Sequence, residues 1–197
     1  MTTETTTSLK GQFLIAMPGM EDSRFQKTVI YVCEHSAAGT MGIVINRPIA
    51  GMSFMDILQQ VQILDNKDAT PVSDRAQSII VHRGGPVETK RGFVLHSSDY
   101  HIKTTTHRID REISMTETLE VLKAIARGDG PERVFVALGY AGWSAGQIES
   151  EIQQNGWLNS SATPDLVFSE KNAAKYDLAL ASLGIDPIML STSSGHA

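Results

Sequence analysis

Apolar segments in this chain come in strand-sized pieces, each cut off by glycine, proline or a charged turn, and this limits it to a sheet-first architecture. Gln12 to Met17 and Thr28 to Glu34 are two such runs, separated by Pro18-Gly19 and an acidic turn, and they predict two strands. A third, Met41 to Asn46, follows a loop over Ser36 to Thr40 and stops at Arg47-Pro48, where proline lacks the N–H a central ladder needs. The longest uninterrupted apolar runs, such as Phe13 to Met17 and Val134 to Leu138, fall far short of the roughly 20 residues that span a bilayer. No membrane association is expected.

Helical spacing appears between the strands. Ser53 stands ahead of Met55, Ile57, Leu58 and Val61, which predicts a capped helix with one apolar face. Asp65 to Gln77 is polar and aperiodic and reads as a loop of weak order. Ser78 to His82 and Gly92 to His96 are strands around the Arg83-Gly84-Gly85-Pro86 turn, with Thr104 to Ile109 as a further one. Leu119, Leu122, Ile125 and Ala126 then share a helix face, with Ser114 or Thr116 as cap and Gly128 as stop. Arg133 to Leu138 is a continuous apolar strand running into a glycine loop, Gly139 to Gln147. A helix follows, with Ser144 and Gln147 at capping-box spacing and Asn155-Gly156 as its end. Asp165 to Phe168 predicts a last strand and Ala173 to Leu183 a last helix stopped by Gly184. Strands and about four covering helices mix irregularly, without repeats or a dividing linker, which makes the fold α+β. One domain over residues 9–190 is expected, with tails at 1–8 and 191–197.

A chain of 197 residues, 41% hydrophobic and 20% charged, is long enough and apolar enough to bury one core without staples. Its single cysteine, Cys33, excludes an internal disulfide, and with no Cys/His pairs at ligand spacing it seeds no zinc cage. The Thr-rich start carries neither a basic cluster nor an apolar signal core, so a cytoplasmic location is the expectation. A formal charge of −5 with scattered basic residues argues against specific nucleic-acid binding.

Four segments in order, Phe13-Leu14-Ile15-Ala16-Met17-Pro18-Gly19-Met20, Gly42-Ile43-Val44-Ile45-Asn46-Arg47-Pro48, Gly84-Gly85-Pro86-Val87 and the glycine segment with Trp143, resemble the bacterial YqgE/AlgH family. The resemblance extends from Gly11 nearly to the C-terminus and includes Leu183-Gly184-Ile185-Asp186. It implies a compact fold of coiled, branching, mostly antiparallel sheets, and a family of unassigned biochemistry, some of whose members are labelled transcriptional regulators. The chain shows no DNA-reading element to go with that label.

Two features stand out as binding candidates. The first is the glycine loop, where Tyr140, Gly142, Trp143, Gly146 and Gln147 either turn the chain and fill core or present an aromatic anchor to a ligand or protein. Its glycines do not give the dinucleotide pattern and no Lys-Ser/Thr pair follows, so it is no known phosphate cradle. The second is the pair of arginine-bearing turns. Arg47 beside Pro48 and Arg83 beside Gly84-Gly85 each end a strand, which would set two guanidinium forks at one sheet edge for an anionic ligand.

Catalytic patterns fail on spacing. Cys33 and His35, two apart in a strand, lie about 6.5 to 7 Å apart along it, beyond hydrogen-bond reach. His82, His96, His101 and His107 with Asp99 lack the helical spacing of a metalloenzyme motif. Glu21, Asp22, Arg24 and Glu34 fit a solvated turn better than an acid-base pair. The leading expectation is a non-catalytic binding or interaction protein without cofactor or metal, taking an unknown protein or small anionic ligand, with any regulatory role indirect. The alternatives are a small enzyme using Cys33 or the histidines, and a DNA-associated regulator.

Overall fold

A computed structural model describes residues 8–64 and 71–186; residues 1–7 of the expected 1–8 tail, the Asp65 to Thr70 part of the expected loop, the last four residues of the expected 9–190 domain and the expected tail at 191–197 lie outside these. The three early runs form strands β1 (Gln12–Ala16), β2 (Val29–Ser36) and β3 (Gly39–Val44), paired antiparallel in that order. Alternate residues sort to two sides. Phe13, Ile15, Val29, Tyr31, Cys33 and Ile43 enter one core, while Leu14, Ala16, Ile30, Val32 and Val44 enter a second on the opposite face. A sheet covered on both faces needs apolar side chains at every position, which is why these runs are continuous. The expected loop over Ser36 to Thr40 narrows to Ala37-Ala38, because β2 and β3 pair out to Ser36 and Gly39.

Beyond Asn46 come strand β4 (Pro48–Ser53), helices α1 (Phe54–Gln60) and α2 (Asp74–Gln77), then strands β5 (Ile80–Arg83), β6 (Val87–Ser97), β7 (Thr106–Arg108) and β8 (Ile113–Thr116). Helix α3 (Leu119–Arg127), strand β9 (Val134–Ser144), helix α4 (Gln147–Gln153), strand β10 (Trp157–Ser161), helix α5 (Pro164–Val167), a 3₁₀ turn at Asn172–Ala174 and helix α6 (Lys175–Ser182) complete it. The strands form one curled, mostly antiparallel sheet in the order β10-β1-β2-β3-β9-β6-β8-β7. The sheet branches at β9, whose first half also pairs in parallel with β5, which in turn carries β4. The third core lies there, where α1 and α3 cover β5, β6 and β9 through Phe54, Leu58, Val81, Val94, Val121, Ile125 and Val136.

Several expectations need correction. The glycine loop is strand: β9 runs unbroken to Ser144, and Gly139, at φ +73, kinks it. Before the kink Phe135 and Ala137 face the first core; after it that place passes to Tyr140, so the facing set shifts by one residue. Asp165 to Val167 is helical, with Phe168 as its C-terminal cap, because Pro164 sits at the first helical position after Thr163. Ser114 and Thr116 belong to β8, so Thr118 starts α3 and leaves Leu119 45% exposed instead of on the buried face. Strands β4, β8 and β10 were not anticipated, and the single turns α2 and α5 raise the helices among the described residues from about four to six. Ser53 does cap α1, in a reciprocal box with Asp56, and Gly128 closes α3.

Helix α6 is tied to the sheet by a lysine. Lys175 is fully buried, its Nζ donating to the carbonyls of Ile45 at 2.7 Å and Val167 at 3.0 Å and lying 4.9 Å from the Phe135 ring centre. No ion pair to it exists among the described residues, so burial alone pulls its pKa down to about 7. The unfolded chain keeps that proton up to an ordinary lysine pKa, so between pH 7 and about 10 unfolding takes up a proton and stability rises with pH. Urea unfolding of the wild type should shift to higher midpoint from pH 7 to pH 9, and Lys175→Met should abolish that rise.

Candidate functional site

The two arginine turns meet. Pro48 of β4 pairs with His82 of β5, and the next residue inward, Arg83, donates its N–H to the carbonyl of Arg47 at 2.8 Å. Gly84 then donates to Leu138 O and accepts from Val44 N, both at 2.8 Å, locking the turn between β3 and β9. The crossing is so close that a Cβ on Gly84 would stand 2.2 Å from Gly139 O, and one on Gly85 2.0 Å from the Tyr140 carbonyl carbon. Only glycine fits there, and the tight crossing delivers Arg83 and Gly85 to the wall of a cleft of about 400 Å³, alongside Arg24, Phe25, Arg47 and Thr89.

The three guanidinium groups in that cleft are used differently. Arg24 forks onto Asp22, with bonds of 2.6 to 3.1 Å, and those bonds hold the Asp22 carboxyl below its usual range. Arg47 donates to the carbonyl of Gln26, while Asn46 accepts from Val29 N at 3.0 Å and donates to Lys27 O at 2.8 Å. Asn46-Arg47 therefore staples the Gln26 to Val29 segment, which is a job the sequence motif did not reveal. Arg83 has no side-chain partner among the described residues.

The glycine-segment candidates divide. Tyr140 packs edge-on to Phe93, ring centres 5.8 Å apart, in the first core. Trp143 points to the other face, into the second core with Trp157, and is 7% exposed. With Gly142 and Gln147 it lines a second cleft of about 600 Å³ that also contains Arg24 and Phe25. Phe25 lies nearly parallel to Trp143 at 6.3 Å and edge-on to Trp157 at 5.6 Å. Both indole N–H groups donate to one oxygen of Glu151, at 3.0 and 2.7 Å, and Gln147 donates to the other at 3.0 Å. Phe25, Trp157 and Glu151 were missed. Glu151 four residues after Gln147 on the α4 face was the only available signal.

Gly146 is exposed and serves as the N-terminal cap of α4 at φ +75, so the expected Ser144 cap is wrong by two residues. Ser144 instead donates twice to Gln147 Oε1 from an exposed position. The catalytic alternatives are not assembled. Cys33 is buried, its Sγ against the Tyr31 carbonyl, and burial pushes its thiol pKa up. His35 accepts from Leu9 N at Nδ1, so its proton sits on Nε2 and goes to Glu149 at 2.9 Å, which holds that carboxyl below its usual range. Neither ring nitrogen is left for the thiol.

The histidines stay apart. His96 is buried, donating from Nδ1 to Ser97 O and accepting from Thr116 at Nε2, 2.9 Å. His82 stacks on Phe135 at 4.1 Å, lines a separate cavity of about 210 Å³, and is held to a pKa of about 4 by burial and the nearby Lys175. His101 and His107 are exposed, Asp99 accepts from Glu132 N, and no metal-holding group of three exists among the described residues. Glu34 makes an exposed pair with Lys10.

Burial of its indole makes Trp143 a structural member of its cleft, so Trp143→Ala should cost about 3 to 5 kcal/mol in chemical denaturation. Ser144→Ala, which removes only an exposed contact, should cost under about 0.5 kcal/mol. Gly85→Ala should cost about 3 kcal/mol or more, since a methyl group there meets main chain that cannot turn aside.

Residues 13–188 match the AlgH-like family. A UPF0301 protein of Bradyrhizobium sp. is 53% identical over 96% of this chain and 88% of its own length, and one from Methylobacterium nodulans is 55% identical over 96% and 90%. The solution structure of the AlgH protein from Pseudomonas aeruginosa superposes with a TM-score of 0.77 over the whole of both chains, at 43% identity. A crystal structure of a Corynebacterium diphtheriae protein, 19% identical, shares the fold at a TM-score of 0.70 over 94% of this chain and 91% of that one. No helix among the described residues is long and apolar enough to cross a membrane. Three of the four segments that carried the resemblance in sequence build the β3, β5 and β9 crossing, the fourth forming β1, and the chain belongs to the AlgH-like family.

Proposed function

We propose that this protein is a non-catalytic binding protein whose recognition site is the arginine cleft and whose ligand presents a phosphate or carboxylate group. One observation carries the reading. Arg83 is delivered by a glycine crossing that leaves no freedom of placement, beside Arg47 and Arg24, and has no carboxylate or carbonyl partner among the described residues. The main chain fixes where the Arg83 side chain starts, and its exposed guanidinium, left without a partner, is available for a forked bond to an oxyanion. Arg47, held on the carbonyl of Gln26, adds positive potential without moving, whereas the charge of Arg24 is balanced by Asp22.

The other readings find less support. An enzyme using Cys33 or the histidines would need groups that the fold keeps apart, Cys33 in the first core and His101 and His107 on the surface. A DNA-associated role would need a basic face on a chain of net charge −5. Regulation, on this reading, is indirect and runs through the ligand-bound protein in the cytoplasm.

Calorimetric titration of the full chain with inorganic phosphate and with citrate at low ionic strength tests the cleft. Binding should weaken with added salt, and Arg83→Gln should lower affinity at least tenfold while leaving the unfolding midpoint within experimental scatter. Equal affinity in wild type and Arg83→Gln would refute the assignment.

A further inference from the structure

The arginine cleft and the cleft over Trp143 share Arg24 and Phe25, so they are two halves of one groove with a single ring at the divide. Their unpaired charges are opposite. On one side stand Arg47 and Arg83, neither with a carboxylate partner among the described residues. On the other stand Glu21, exposed, and Glu151, neither with a cationic partner among them. Glu151 is fixed by three neutral donors, which orient its carboxylate without cancelling its charge. At the boundary Arg24 and Asp22 neutralise each other in their forked pair.

Unpaired charges of opposite sign, held apart by an aromatic wall, are complementary to a molecule that carries both signs at its two ends. The aromatic half favours an organic ammonium, because the half-buried Phe25 offers ring surface to a cation and Glu151 offers it an anion. An uncharged tail would leave both carboxylates without a partner. We propose that the groove takes a small zwitterionic ligand, its anionic group on Arg47 and Arg83 and its amine past Phe25, facing Glu151 and Glu21. This deepens the anion-binding reading and rests on it.

The test uses the full chain, calorimetry at low salt, and three probe classes: inorganic phosphate, straight-chain alkyl phosphates, and ω-aminoalkyl phosphates of about two to six carbons, since a tether gains only when its length matches the span. At one length the terminal amine should raise affinity at least tenfold over the matching alkyl phosphate. Glu21→Gln and Glu151→Gln should each reduce that gain while binding the alkyl phosphate as the wild type does. Glu21 is exposed, so its variant carries the test even where loss of the Glu151 charge disturbs the two tryptophans. No gain from the amine at any length, with phosphate still bound through Arg83, overturns the zwitterion and leaves the anion site standing. Failure of every phosphate to bind overturns both.

Discussion

The architecture depends on one close approach of main chain to main chain, the passage of Gly84-Gly85 across Gly139-Tyr140. Strand β9 has to serve two neighbourhoods, pairing with β5 and β6 in its first half and with β3 in its second. The kink at Gly139 turns it from one to the other, and the crossing turn fills the angle. Because Gly84 bonds to Leu138 on one side and Val44 on the other, the same residue that allows the sheet to branch also closes the gap between the branches. The three cores meet around this point, with β9 contributing to all of them.

The strand-length runs at the start were legible because each is apolar at every position and bounded by proline or glycine. Where the sequence misled, the cause was local chemistry that reads the same in two structures. Glycines at 139, 142 and 146 look like a loop, but a kinked strand also needs a glycine, and pairing with β3 at Ala141 and Gly142 decides the matter from a distance. Pro164 turned a strand-like Asp165 to Phe168 into a helical turn, and Ser114 to Thr116 look like caps yet extend the sheet beside β6.

Of the candidate site, the meeting of Arg47 and Arg83 was legible because both end strands at a turn, and two such ends readily become neighbours at one edge. The division of Tyr140 from Trp143 was not, since an odd spacing separates them only if the segment is a strand. Phe25 was invisible for a different reason. It sits in an irregular segment where no periodicity marks a residue as buried, and its place depends on Asn46 and Arg47, twenty-odd residues later, holding that segment down.

The glycine crossing also bears on how such a site diversifies. Arg83 takes its position from hydrogen bonds between peptide groups, so the geometry of its anchor is indifferent to the side chains around it. Arg24 and Thr89 are exposed, and the crossing does not depend on their side chains. A lineage is then free to exchange those side chains and change what is recognised, while the mount beneath Arg83 stays as rigid as the sheet that forms it, and an engineer has the same freedom.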